Sequence, residues 1–273
     1  MRLINRRPGR HWALALAVLP FVLLLVLYSV ASEIRRAENP RDKLLPAPAT
    51  VVETAWRLAT VPERRSGKVL LWTDTGISLA RLGTGLAIAA ALGLGFGIAI
   101  GLFPYVSTVA GPLTGALAMI PPLAVLPILF LALGLGETSK IALIVIGITP
   151  VIIRDLAART AEIPREQIVK AETLGASSLA IALRVALPQA MPRLILALRL
   201  ALGPALLFLI AAEAIASEAG LGYRIFLVRR YLAMDVILVY VVWITLLALT
   251  TDRLLAMSSR LLFPWAAPAR PAP

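Results

Sequence analysis

Residues 79–102 read LARLGTGLAIAAALGLGFGIAIGL, which is apolar almost from end to end. A helix that crosses a bilayer needs about 20 consecutive apolar residues, because it rises 1.5 Å per residue through a hydrocarbon core about 30 Å thick. The stretch meets that length. It predicts a transmembrane helix, and it sets the fold class expected for the rest of the chain.

The composition of the whole chain supports a membrane protein. Apolar residues make up 59% of the 273 residues and charged residues 15%, against about 45–50% and about 25% in soluble domains. A soluble fold of this length has no interior large enough for so much apolar surface. The excess must therefore face lipid.

The charge and the reactive residues exclude several functions. The net charge is +12, but the basic residues lie between the apolar segments, which favours anionic lipid headgroups and partner surfaces over nucleic acid. The chain has no cysteine and one histidine, His11. Thiolate catalysis, disulfides and a multi-histidine metal site are excluded, and no catalytic residue is predicted.

Five further apolar runs extend the prediction to an all-α integral membrane protein with about six transmembrane helices. The predicted spans are 12–32, 79–102, 112–134, 139–155, 194–215 and 232–256. The small residues Ser29–Ala31 also fit a signal-peptide cleavage site, so a cleaved leader stays an alternative to an uncleaved anchor in the first span.

The remaining segments are polar. They are residues 1–11, 33–78, 156–192 and 261–273, and within 33–78 the stretch Ala49–Leu58 has the spacing of a helix on the membrane surface. Counting lysine and arginine does not decide which side of the membrane each segment occupies.

Small residues recur at every fourth position of the second span. They are Gly85, Ala89, Gly93, Gly97 and Gly101. This spacing places them on one helix face and predicts close packing against another helix.

The third span contains Pro121, Pro122 and Pro127. A proline inside a helix removes a backbone hydrogen bond, so three of them predict a kinked or interrupted helix. Such backbone is tolerated where it packs against protein or faces a water-filled path. Both alternatives stay open, and Pro121 and Pro122 are candidate path residues.

Ionisable residues are few within the predicted spans. Arg199 and Glu213 lie in the fifth, where each should face the bundle interior or reach the headgroups. Glu213 is a candidate path-lining residue. Lys140 and Asp235 lie at span ends and are expected at headgroup level.

The segment 156–192 predicts a helix, a turn and a second helix. Pro164 suits the first turn of a helix and Gly175 the position just past its end. Ser177 or Ser178 can cap a second helix, which is expected to run to Leu187 before Pro188 stops it. A compact element of this kind favours docking of a partner.

This segment resembles the EAA loop of permeases in binding-protein-dependent ABC importers. The matching residues are Ala171–Ser177 (AETLGAS) and Leu187–Pro192 (LPQAMP). Further stretches are similar to the nitrate, sulfonate and taurine branch: PPLAVLP at 121–127, GLGETSK at 134–140, AAEAIA at 211–216 and GLGY at 220–223. The resemblance covers about residues 45–260.

The resemblance implies a type I importer permease fold and assigns an ATPase-coupling loop. The coupling residues would be Glu166, Lys170, Ala171, Glu172, Gly175, Ala176, Ser177, Pro188 and Pro192. One departure is plain: Val169 and Lys170 stand where the family has the glutamate and first alanine of its motif. This chain therefore lacks the side chain that would make that glutamate's contacts.

The same resemblance implies the topology and the partners. The amino terminus and 156–192 would be cytoplasmic and 33–78 periplasmic, in a bacterial inner membrane. The partners would be a second permease copy, two ATP-binding subunits, a periplasmic solute-binding protein and membrane lipids.

ATP and magnesium would bind the partner ATPase, and this chain would bind no cofactor itself. It has no phosphate-binding loop, since Gly67-Lys68 lacks the upstream glycine and is followed by valine. The alternative from the residues alone is an ion-coupled carrier or an intramembrane enzyme that acts without partners.

Overall fold

The computed structural model describes residues 9–39, 42–64 and 66–266. It is 84% helical, and the described residues contain no strand. Within them, five helices are long and apolar enough to cross a membrane, or six if one bent pair counts as a single span. The all-α membrane fold predicted from the sequence is confirmed.

The helices follow one another in a simple order along the chain. They are α1 Arg10–Glu38, α2 Pro48–Thr60, α3 Leu70–Leu102, α4 Pro104–Leu117, α5 Pro122–Leu133, α6 Glu137–Ala161, α7 Arg165–Thr173, α8 Ser178–Ile181, α9 Leu187–Ala216, α10 Leu221–Arg229 and α11 Met234–Leu262. A π-helical segment, Ala182–Ala186, joins α8 to α9, and a short 3₁₀ turn, Pro264–Ala266, follows α11.

Two parts of the predicted terminal segments lie outside the described residues. These are residues 1–8 of the segment 1–11, and residues 267–273 of the tail. The helix predicted at 49–58 corresponds to α2, which donates a hydrogen bond from Thr54 to Asp235 at the start of α11 (2.8 Å).

The centre of the bundle is the contact between α3 and α6. The small residues of α3 face α6 so closely that a Cβ atom added at Gly85 would lie 2.8 Å from Ile144 Cγ2, and one at Gly97 would lie 2.6 Å from Leu156 Cβ. Ala89 between them is fully buried. The residue numbers of the contacting pairs increase together along the two helices, so α3 and α6 run in the same direction.

The other face of α6 packs against α9, which runs the opposite way. The α6 residues in the core are almost completely buried: Leu143, Ile144, Ile148, Ile152 and Leu156. Gly147 makes room for the ring of Phe208, which a Cβ atom at that position would overlap.

The bundle has two ends. At the end that we call the network end, α3, α6 and α11 begin and α9 finishes. At the end that we call the loop end lie α7 and α8.

The third predicted span is two helices rather than one. Instead of a helix over 112–134, α4 starts at Pro104 and stops at Leu117, and α5 leaves it at an angle of 95°. The break falls just before Pro121 and Pro122, which have no backbone N–H and stand at the start of α5. Pro127 lies inside α5 without ending it. A kinked or interrupted helix was expected. The pair Pro121–Pro122 interrupts it, and Pro127 does not.

Several helices extend beyond the predicted spans, and among them α1 runs to Glu38 rather than 32 and α11 to Leu262 rather than 256. At two further boundaries, charged residues near the helix ends find partners. The helix expected from residue 79 starts at Leu70, and the one expected to end at 155 continues to Ala161. Asp74 and Asp155 both form ion pairs with arginines of other helices. Hydropathy treats such residues as the end of a span, whereas a paired charge can stay inside a helix.

The expectation that Pro188 stops a helix is also wrong. Leu187 N–H donates to the carbonyl of Ala182, five residues earlier, so the ladder is shifted just before the proline. Pro188, which has no N–H to donate, follows this shift directly as the second residue of α9. Residues 178–216 consequently form one continuous helical stretch of 39 residues.

The close α3–α6 contact predicts a difference between two glycines of α3. Gly97→Val should lower the free energy of unfolding by about 1–3 kcal/mol, because its branched side chain would overlap Leu156 and the backbone of α6. Gly95→Val is the matched control, since a Cβ atom at Gly95 would lie within 4 Å of no described atom beyond its own turns of α3. The measurement is thermal unfolding of the purified variants. Equal melting temperatures would contradict the packing described here.

Candidate functional site

The loop-end element, residues 165–181, is built around a glycine turn. Gly175 has φ of +79°, which L side chains rarely adopt, and its N–H donates to the carbonyl of Glu172 (2.9 Å). Ala176 N–H donates to the carbonyl of Ala171 (3.0 Å). These bonds close the end of α7.

Ser177 starts the next helix, as predicted. Its Oγ accepts a hydrogen bond from Ala180 N–H (3.2 Å) and caps α8. Gln189 of α9 donates to Gln167 of α7 (3.1 Å), which holds α7 beside the start of α9.

The predicted coupling residues fall into two groups. Ala171, Gly175, Ala176 and Ser177 come together at the turn, whereas Pro188 and Pro192 lie farther along, in the first turns of α9. The charged members Glu166, Lys170 and Glu172 are exposed on α7. None of these three forms an ion pair with another described residue.

Apolar side chains are also exposed on this element. Leu174 is 80% exposed at the turn, and Val169, Leu179 and Leu183 are exposed nearby. A surface that mixes exposed leucines with unpaired charges outside the packed bundle is typical of a protein interface. Val169 contributes an apolar side chain at the position of the family's glutamate.

The network end holds a cluster of buried charges centred on Glu213. Its carboxylate has no exposed surface, and it accepts hydrogen bonds from Ser78 Oγ (2.7 Å), Arg81 Nη1 (2.7 Å) and Gly222 N–H (2.8 Å). Gly220 lies so close that a Cβ atom there would meet the carboxylate at 2.6 Å. Glu213 therefore faces no open path within the described chain, and we infer that it holds α3, α9 and α10 together.

A second buried carboxylate, Asp74, extends this cluster to α11. It accepts from Arg224 Nε (2.8 Å), Tyr240 Oη (3.1 Å) and Gly220 N–H (3.0 Å). Asp74 and Tyr240 are both fully buried. The two carboxylates thus connect the ends of four helices.

The exposed edge of the cluster is Glu137, at the start of α6. Arg81 donates to both of its oxygens, from Nε (2.5 Å) and from Nη2 (2.7 Å), and Lys140 Nζ donates to Oε1 (2.9 Å). Lys140 was expected at headgroup level, but its side chain is only 4% exposed. Its burial is tolerated because Glu137 pairs with it.

Two more ion pairs link the helices towards the loop end. Arg199 of α9 donates to both oxygens of Asp252 in α11 (2.7 and 3.0 Å), and Arg193 of α9 pairs in the same two-point manner with Asp155 of α6. Arg199 was expected either to face the bundle interior or to reach the headgroups. It is half-buried and pairs with Asp252 of a neighbouring helix.

The candidate path residues are not brought together. Pro121 is exposed and Pro122 half-buried at the α4–α5 break, away from the buried Glu213. A cleft of about 590 Å³ lies at the loop end between α6, α9 and Trp265. Its lining does not include Pro121, Pro122 or Glu213. Among the described residues no group of three or more His, Cys, Asp or Glu side chains is placed to hold a metal ion.

Sequence reasoning missed most of the charge cluster. Asp74, Arg81, Glu137 and Arg224 were not singled out, although Arg81 lies inside the predicted second span. An arginine within an apolar run is itself a signal that a partner exists. The partner's identity was hidden, because Glu213 is 132 residues away.

Comparison with known proteins decides the family. Residues 84–263 match the family model for the binding-protein-dependent transport system inner membrane component. The chain belongs to this family. Its members are the permeases of ABC importers, so the resemblance seen in the EAA-like loop is confirmed and the alternative of a self-sufficient carrier or enzyme is set aside.

Several named permeases are similar to nearly the whole chain. The taurine transport system permease protein TauC of Escherichia coli is 33% identical over 97% of this chain and 96% of its own. The putative aliphatic sulfonates transport permease protein SsuC of the same organism is 30% identical over 94% and 95%. The nitrate import permease protein NrtB of Synechococcus elongatus is 30% identical over 90% of each.

A solved structure of this fold is also similar. An inward-facing form of the MetNI methionine ABC transporter contains a chain that matches with a TM-score of 0.57 and 19% identity, over 69% of this permease and 95% of that chain. At this identity the likeness shows the fold alone. The fold is that of an ABC importer permease.

The buried position of Glu213 predicts a large loss of stability when its charge is removed. Glu213→Ala should lower the free energy of unfolding by about 3–5 kcal/mol, because Arg81 would stay buried with one carboxylate fewer. Glu218→Ala, an exposed glutamate five residues on, is the matched control. The melting temperature of each purified variant is the measurement. A Glu213→Ala variant as stable as the control would refute the anchoring role.

Proposed function

We propose that this permease forms the transmembrane path of an ABC importer for small oxyanions and couples to a separate ATPase through the loop-end element. The observation that carries the coupling is the exposed mixed surface of residues 165–181, built on a rigid glycine turn in a chain of the importer permease family. The loop end would then face the cytoplasm of a bacterial cell, and residues 33–78 the periplasm.

The chemistry of the loop-end element suits docking into a cleft. Leu174 and Val169 supply apolar area that gains free energy when it leaves water, and Glu166, Lys170 and Glu172 supply charges that select the orientation of a partner. The hydrogen bonds at Gly175 and Ser177 hold the two short helices at a fixed angle. A preformed element of this kind loses little conformational entropy on binding.

The division of labour follows from the absence of a phosphate-binding loop in the sequence. ATP and magnesium would bind two ATPase subunits, which dock on the loop-end elements of two permease copies. A periplasmic binding protein would deliver the solute. This chain would bind no cofactor of its own and would contact membrane lipids along α1, most of whose apolar residues are exposed.

The proposed solute class comes from what the relatives' names share. Taurine and aliphatic sulfonates carry a sulfonate group, and nitrate is itself an oxyanion, so each presents three oxygens on one central atom. The permease is expected to restore growth on at least one of these solutes when expressed with its ATPase and binding protein in a strain that lacks their import. Growth on none of the three would contradict the solute class and leave the coupling proposal standing.

The docking role predicts that distorting Gly175 breaks coupling. Gly175→Val forces a branched side chain into a φ of +79°, so the turn must rearrange, and ATP-dependent uptake should fall at least tenfold. Co-purification of the ATPase with a tagged permease should fall with it. Both quantities can be measured on the same membranes.

Gly67 supplies the matched control. Its φ is +65°, so valine there is strained in the same way, but it lies in the 61–69 connection at the network end. Gly67→Val should keep the ATPase bound. If Gly175→Val retained full uptake, or if both variants lost the ATPase alike, the loop-end element would not be the docking site.

A further inference from the structure

The guanidinium group of Arg81 is divided between two carboxylates in very different surroundings. Its Nη1 faces inward and donates to Glu213 Oε1 and to the carbonyl of Ala219 (2.9 Å). Its Nε and Nη2 face outward and donate to Glu137. The inner half is fixed within the buried cluster, whereas the outer half ends on an exposed residue.

Among the described residues, the Glu137 carboxylate is paired with the two cations beneath it. Its side chain is 59% exposed, and its partners are Arg81 and Lys140, which are 5% and 4% exposed. It is the first residue of α6 and follows a short connection that begins at Gly134, where φ is +77°. A side chain in this position can leave its partners without disturbing the core.

Arg81 and Lys140 together present three donors to one anion. Oε2 of Glu137 accepts from Arg81 Nε, while Oε1 accepts from both Arg81 Nη2 and Lys140 Nζ. Nitrate and sulfonate offer the same pair of oxygens on one central atom, with a third oxygen to spare. The planar fork of an arginine is well suited to such a pair.

The charges of the cluster balance only while an anion occupies this position. Arg81 and Lys140 carry two positive charges against the two negative charges of Glu213 and Glu137. If Glu137 swings out and a singly charged oxyanion takes its place, Arg81 and Lys140 keep an anionic partner. Exchange of one anion for another therefore avoids the penalty of burying an unpaired cation.

We propose that Arg81 and Lys140 form a binding site for the oxyanion group of the transported solute, and that the Glu137 carboxylate occupies this site while the solute is absent. The proposal rests on the proposed importer function and names where the solute is recognised within the membrane subunit. Glu137 acts as a competitor tethered to the site, so the solute binds only by displacing it.

Removal of the competitor is the direct test. The complex of the permease with its co-purified ATPase is placed in lipid nanodiscs, and equilibrium binding of radiolabelled ethanesulfonate is measured. Glu137→Gln keeps the size of the side chain but not its charge, so the apparent Kd should fall at least tenfold. Glu137→Asp keeps the charge but draws it back by one methylene. Its apparent Kd should lie between that of the unmodified chain and that of Glu137→Gln.

Two controls identify the site and the charge. Glu162→Gln removes a glutamate at the other end of α6 that is equally exposed and also pairs with a cation three residues away, Arg159, so it should leave the affinity unchanged. Lys140→Gln added to Glu137→Gln should cancel the gain. Ethyl methyl sulfone, a neutral match for the probe, should bind none of the variants.

The outcomes separate this proposal from the importer function itself. If Glu137→Gln and Glu137→Asp bind ethanesulfonate no better than the unmodified chain, or if Lys140→Gln keeps the gain, the site is refuted even when ATPase binding and uptake are normal. Binding of the neutral sulfone with equal affinity would refute oxyanion recognition. Loss of the ATPase and of uptake in the unmodified complex would instead refute the proposed function.

Discussion

The contact between α3 and α6 sets the rest of the structure. Small residues let the two helices approach closely over much of their length, and they fix one register between them. That register brings Arg81 beside Lys140 one turn before it brings Gly85 against Ile144. The pairing of charges at the network end is therefore a consequence of glycine packing farther along the same helices.

Charge pairing then decides how the remaining helices attach. A charged group in a low-dielectric interior is tolerated only with a partner, and each carboxylate of the buried cluster draws its partners from several helices. Asp74 contacts α10 and α11, and Glu213 joins the end of α9 to α3 and to the start of α10. The helix ends at this side are thus tied to one another, whereas the loop-end element leaves its charges exposed.

The sequence was sufficient for the fold class and for the helix–turn–helix at 165–181, because apolar run length, proline, glycine and serine act locally. It was insufficient wherever the deciding partner is remote. The polar start of α3 contains Asp74, whose partners Arg224 and Tyr240 follow 150 and 166 residues later, and no local pattern reports those contacts. Pro188 was misjudged for a different reason: the hydrogen-bond shift at Ala182–Ala186 that accommodates it leaves no mark in composition.

The continuity of α8 and α9 joins the two ends of the molecule physically. From Ser178 to Ala216 the chain is one helical stretch, roughly 58 Å long at 1.5 Å per residue, with the loop-end element at its start and Glu213 one turn from its finish. A helix of this kind is stiff along its axis. Its shifted hydrogen bonds and two of its three prolines, Pro188 and Pro192, lie within Ala182–Pro192, and the third is Pro204. Bending is therefore favoured near the docking element and at Pro204. Beyond Pro192 the helix holds Arg193, Arg199 and Glu213 in ion pairs with α6, α11 and α3, so a force applied at the loop end reaches three helices through these pairs.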